Sequence, residues 1–302
     1  MKKIISIIIC LLLCISIAGC EKKTVSDNNN TEVTAAVKSD DKASENKAQA
    51  DSKDSASTAS DVKEPASDPV TDVSADIKST VAIETEVKDG YSYSDGIYTF
   101  SKGGIYRITG EFSEGQLYVD AADEQVELHL AGVKLSSSKN SVIYVENADE
   151  VKIKAIDGTV NYVTDNRAQN NASEDEAGSA CIYSKDDLKI QGQGTLFVSS
   201  SYNNGIQSKN DIKFKNLTLE VTAPNNAIKG NDSITIESGT INVTSTDGDG
   251  LKTKNTDISS KGKQRGIIDI IGGTVTITAA KDCLDAAYDV QISEDAKVFT
   301  NK

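Results

Sequence analysis

Between Ile143 and Leu284 the chain writes the same short phrase again about every two dozen residues, and that repeat limits its fold more than any other feature. The copies read Ile-Tyr-Val-Glu-Asn-Ala-Asp from Ile143, Cys-Ile-Tyr-Ser-Lys-Asp-Asp from Cys181 and Gly-Ile-Gln-Ser-Lys-Asn-Asp from Gly205. They continue as Ala-Ile-Lys-Gly-Asn-Asp from Ala227, Gly-Leu-Lys-Thr-Lys-Asn from Gly250 and Cys-Leu-Asp-Ala-Ala-Tyr-Asp from Cys283. Steps of 24, 22 and 23 residues separate Ile182, Ile206, Ile228 and Leu251, enough for three short strands and three turns.

Apolar residues alternate within each copy, as in Leu188/Ile190, Ile212/Phe214 and Ile234/Ile236, and again in Leu196/Val198, Leu219/Val221 and Ile241/Val243. A period of two is that of a strand with one buried face. Stacking equivalent positions of successive coils about 4.8 Å apart buries a continuous core. The expected fold is therefore an all-β parallel β-helix, a solenoid of about 22-24 residues per coil. Two longer steps mark insertions, near Thr164–Ser179 and Lys254–Arg265, which flank the strand carrying the repeated phrase. Insertions in solenoids gather on one face, often the binding face, so the search for a site starts there.

Ahead of the repeats the sequence changes character. Lys2 and Lys3, an apolar run from Ile4 and then Ile17-Ala18-Gly19-Cys20 make a secretory signal with a lipobox, so residues 1–19 are expected to be removed and Cys20 lipidated. Residues 20–78 are rich in Ser, Asp, Lys and Ala and too poor in apolar side chains to fold, and they read as a tether. Residues 79–140 alternate as strands and are expected to form an N-terminal β cap, followed by the β-helix over 141–302. These segments place the domain on the extracellular face of a membrane, held there by the lipid.

The formal net charge of −14 disfavours nucleic acid as a partner and favours cations. Cys181 and Cys283 share a repeat position with Gly205, Ala227 and Gly250, so they read as small packing residues too far apart for a disulfide. The only histidine, His129, has no neighbouring Cys or His with which to hold a metal.

Two residues before each repeated apolar residue stand Asn204, Asn226, Asp249 and Asp282. The asparagines suit a ladder of side-chain hydrogen bonds, whereas stacked carboxylates repel unless a cation or proton intervenes. With Asp247, Asp285 and carbonyls left free at Gly248 and Gly250, the four aspartates form a candidate calcium site; hydrated turn acids are the alternative. One and three residues after the repeated apolar residue come Lys229, Lys252, Lys185, Lys209 and Lys254. They read either as lysines paired with nearby turn acids or as a basic stripe for the carboxylates of an acidic polysaccharide. A third reading is catalytic: Lys252, with its pKa lowered, removes a proton acidified by calcium in a β-elimination.

Gly-Gly-Ile-Tyr-Arg-Ile-Thr-Gly from Gly103, Gly-Gln-Leu-Tyr-Val from Gly115, the repeated phrases and Asp-Gly-Asp-Gly-Leu-Lys-Thr from Asp247 together resemble the clostridial cell-surface carbohydrate-binding domain family. The resemblance runs from about Tyr91 to the C-terminus. It implies a polysaccharide-lyase-like, right-handed parallel β-helix with bound calcium that binds cellulose or pectin-type glycans without cleaving them. Relatives read Asp-Gly-Ile-Asp where this chain has Asp282-Cys283-Leu284-Asp285, keeping both acids. They often continue for further coils, whereas this sequence stops at Lys302, an end that would leave strand edges uncovered. Three functions follow: a lipid-anchored polysaccharide-binding protein, a calcium-dependent polysaccharide lyase using Lys252, and a structural or adhesive surface protein.

Overall fold

The computed structural model describes residues 79–169 and 178–302; the signal, Cys20 and the tether lie outside the described residues. The described residues form strands joined by turns, wound as a parallel β-helix. One coil runs through the strands Ala180–Ser184, Asp187–Gly192 and Thr195–Ser200, and the next through Asn204–Ser208, Asp211–Lys215 and Leu217–Ala223. Each strand pairs in parallel with its counterpart one coil away, so the wall has three faces. The repeated phrase lies on the first face, and the alternating pairs lie on the second and third.

Register places identical chemistry on itself. Ile143, Ile182, Ile206, Ile228, Leu251 and Leu284 stack across the first face. Val151, Leu188, Ile212, Ile234 and Ile268 do the same on the second. All but Leu284 are buried, and each fully buried aliphatic side chain contributes about 1.5–3 kcal/mol before the entropy of ordering is set against it. The column holding Cys181 and Cys283 must stay small: a Cβ on Gly205 would run into Val221 and the Ala227 carbonyl, and one on Gly250 into Ile277 and the Cys283 carbonyl. Both described cysteines are free, and burial pushes the Cys181 thiol well above its ordinary value.

Parallel coiling starts before residue 141. Ile97–Phe100 pairs in parallel with Gln116–Asp120, and Gly104–Phe112 with Gln125–Ser137. The region expected as a cap is thus largely solenoid, with antiparallel pairing of Ala82–Glu84 against Gly104–Phe112, of Tyr91–Ser94 against Ile97–Phe100 and of Ser79 with Phe112. The strand Gln125–Ser137 serves both the second and third faces, pairing first with Glu150–Ala155 and then with Val160–Asp165. Buried Asn161 clamps its bend, accepting the N–H groups of Gly132 and Val133 at 2.9 and 3.1 Å and donating to the Thr195 carbonyl at 3.1 Å.

Candidate functional site

On the first face the residue after each stacked apolar residue points outward, and register joins these into one column: Tyr118, Tyr144, Tyr183, Gln207, Lys229, Lys252 and Asp285. Its upper part is aromatic. Tyr118 and Tyr144 stack with centroids 5.5 Å apart, and Tyr144 and Tyr183 at 5.2 Å. Tyr118 and Tyr144 were not picked out from sequence, although both occupy the outward place beside the repeated apolar residue. The middle of the column is not open surface, since Gln207 is 2% and Lys229 9% exposed.

Insertions flank this column on both sides. In the first, Arg167 grips Asp165 through Nη2 at 2.7 Å and Nε at 2.9 Å, and its guanidinium lies 3.9 Å over the Tyr202 ring. Asp165 is fully buried, so this pair anchors the start of the loop. The second insertion folds back through a bridge between Ile258 and Gln264 and ties its end down by Arg265 to Asp232 at 2.8 Å.

The asparagine ladder extends into the aspartates. The Asn204 Oδ1 accepts the Asn226 N–H, the Asn226 Oδ1 accepts the Asp249 N–H, and the Asp249 Oδ1 accepts the Asp282 N–H, at 3.0, 3.3 and 3.1 Å. The second Asp249 oxygen takes a hydrogen bond from the Lys252 Nζ at 2.7 Å, and the same ammonium donates to Asp285. Lys252 is thus a cation shared by Asp249 and Asp285. Asp247 lies apart, exposed and accepting from the Gln169 Nε2 at 3.3 Å, and Asp282 pairs with Lys302 at 3.1 Å. The Gly248 and Gly250 carbonyls, expected to be free, accept the N–H groups of Lys281 and Ile228 at 2.9 and 3.0 Å, because the parallel ladder uses them. Among the described residues no three carboxylate, imidazole or thiol side chains converge where a metal could sit, so a single ion held by all four aspartates does not fit this arrangement.

Burial alone would lower the Lys252 pKa, but its hydrogen bonds to Asp249 and Asp285 outweigh this and raise it. A general base needs the opposite shift. Burial likewise pushes Asp249 up, yet Lys252 and the Asp282 N–H bring it below the ordinary carboxylate value. Lys185 is also taken, by Glu146 at 2.6 Å, and that hydrogen bond holds its ammonium well above the usual range. Lys185, Lys209 and Lys254 line the turn that follows the first-face strand; Lys209 is half-buried and Lys254 exposed. The five lysines therefore form a turn edge of three, together with Lys229 and Lys252 on the column beside it.

A family described as carbohydrate-binding domain-containing protein matches residues 94–300. A carbohydrate-binding domain-containing protein of Acetivibrio thermocellus is 37% identical over 137 residues, which are 45% of this chain and 48% of that protein. The chain thus spans about half the length of this curated relative. A solved polysaccharide lyase-like protein from C. thermocellum, a gadolinium derivative, aligns with a TM-score of 0.61 and 36% identity over 71% of this chain and 89% of its own.

Proposed function

The chain belongs to the carbohydrate-binding domain-containing protein family, and from this premise we propose that its solenoid binds an acidic, pectin-like polysaccharide at the lysine edge of the first face. The observation that carries the reading is the juxtaposition of Lys185, Lys209 and Lys254 along one turn edge, between two insertions, on a solenoid that the family match covers from end to end. A polyuronate offers carboxylates along its chain. These can meet Lys209 and can compete with the present partners of Lys185 and Lys254, Glu146 among them for Lys185. In a protein of net charge −14 such local cations also steer an anionic chain to one place.

Binding without cleavage is the reading supported, because Lys252 is held protonated between two carboxylates. Calcium enters the proposal as a competitor of Lys252 for Asp249 and Asp285, and no glycan contact depends on it. A lipid on Cys20 and the segment 20–78 would hold the domain at the extracellular face of the membrane, where such polymers are met.

The test is retention of the purified protein on polygalacturonate, with cellulose in parallel and absorbance of unsaturated product followed throughout. Retention is expected to fall about tenfold or more when Lys185, Lys209 and Lys254 are all replaced by Ala, and to weaken with salt. Unsaturated product would make the protein a lyase. Retention that ignores the three lysines would move the site elsewhere, and no retention on any polysaccharide would remove the binding reading.

A further inference from the structure

At the turn from the second face to the third, away from the lysine edge, one outward column lacks the acids that neutralise the rest of its face. Register sets Lys154, Gln191 and Lys215 beside one another on three successive coils, with His129 before them. The lysines of the neighbouring column are all taken: Lys152 by Glu127 and Glu150 at 3.2 and 3.4 Å, Lys189 by Glu150 at 3.0 Å and Lys213 by Glu237 at 3.4 Å. His129 also pairs with Glu127, and Lys215 with Glu237, at 3.0 and 2.9 Å. Lys154 is half-buried, and its ammonium has no ion pair or hydrogen bond among the described residues. In a chain of net charge −14, with acids to spare, a half-buried ammonium left without an anion is the exception.

Beside it opens a groove of about 480 Å³ lined by Lys154, Asp157, Gln191, Gln193, Lys215 and Asn216, within the size range of small-ligand sites. The groove runs on into a hollow of about 420 Å³ that shares Gln193 and Asn216 and adds Thr218 and Thr240. Left-handed backbone fixes this corner: Gly192, at φ +128°, would drive a Cβ into the Ala155 carbonyl, and Asn216 turns at φ 59°. The Asn216 Oδ1 accepts the Ser238 hydroxyl at 2.7 Å, which leaves its amide nitrogen to donate.

We propose that this turn binds the phosphate or sulfate group of an esterified polyol or sugar, seated on Lys154. Lys154 and Lys215 start two coils apart, about 10 Å, with Gln191 between them, so an oxyanion held by the two ammonium groups also meets the Gln191 amide. Donors arriving from three coils suit a tetrahedral oxyanion, whose oxygens point several ways. A carboxylate offers them only two oxygens in one plane. Lys215 can turn from Glu237 to the ligand because its side chain is 50% exposed. Behind the anion, Gln193, Asn216, Thr218 and Thr240 offer amides and hydroxyls that match the hydroxyls of a polyol. Asp157 repels a second charge, so the groove takes one anionic group per ligand. The site lies at a different turn from Lys185, Lys209 and Lys254 and does not rest on the glycan reading of that edge.

NMR titration of the purified full chain with glucose 6-phosphate, glucose 6-sulfate, glucuronate and glucose tests this. The esters are expected to bind, and Lys154→Ala to weaken them about tenfold or more. Lys154→Gln, which keeps most of the aliphatic stem, should act in the same direction and covers the case in which Lys154→Ala disturbs folding. Gln193→Ala should weaken the esters about two- to fivefold and leave inorganic phosphate unmoved, since Gln193 meets the polyol alone. Replacing Lys185, Lys209 and Lys254 together should change none of these affinities. Binding of one ester alone supports the site and names its anion. Glucuronate bound as tightly as either ester overturns the tetrahedral oxyanion. Ester affinity untouched by both Lys154 variants, or no binding of either ester, overturns the site.

Discussion

Lys252 shows how one side chain changes the meaning of its neighbours. The ammonium lies between Asp249, nearly buried, and Asp285, so Lys252→Ala leaves two facing carboxylates without their cation. Urea unfolding should show a loss of about 1–3 kcal/mol, the usual cost of a partly buried polar group deprived of its partner. In this variant calcium should raise the melting temperature more than in the unaltered protein, since the competitor is gone. The pH dependence follows from the two shifts. Asp249 is depressed, so its stabilisation is complete above the ordinary aspartate value of about 3.9 and is lost as pH falls through the lower folded value. Lys252 is raised, so its share is complete below about 10.4 and is lost as pH climbs through the higher folded value. Melts across both ranges should show these losses removed by Lys252→Ala. A second residue-scale case is Arg167→Ala, which strands the fully buried Asp165 and should cost about 3–5 kcal/mol, with a glutamate-specific endoproteinase cutting the first insertion sooner.

At the scale of the strand and its turn, stability comes from columns. Asn226 links Asn204 to Asp249, and Asn226→Ala removes an acceptor for the Asp249 N–H and a partner for the Asn204 side chain. A loss of about 1–3 kcal/mol in urea midpoint energy is expected. Gly205→Leu is expected to do worse, because the Val221 side chain and the Ala227 carbonyl already occupy the space; it should drive expression into the insoluble fraction or lower the melting temperature sharply. Much of this scale is legible from sequence. The small-residue column of Cys181, Gly205, Ala227, Gly250 and Cys283 follows from counting along the repeat, as does the Asn204–Asn226 ladder. The stacking of Tyr162 on Phe197, on the third face, does not, because the first insertion stands between their two strands and breaks the count that would have aligned them.

For the whole molecule, stacking gives each coil only its two neighbours, so protection from hydrogen exchange should be highest in the coils of Ile206 and Ile228 and decline outward. The strand Asp289–Ile292 is exposed throughout and should exchange first among the described strands. Period and alternation by themselves determined that this chain coils, which residues face inward and which columns run along each face, because a strand has only two sides and each coil must repeat the last. Tertiary structure alone decided which charges meet. Asp285 lies one coil from Lys252 but 33 residues along the chain, and whether two carboxylates hold a calcium ion or a lysine depends on separations of a few ångströms that no spacing in the sequence encodes.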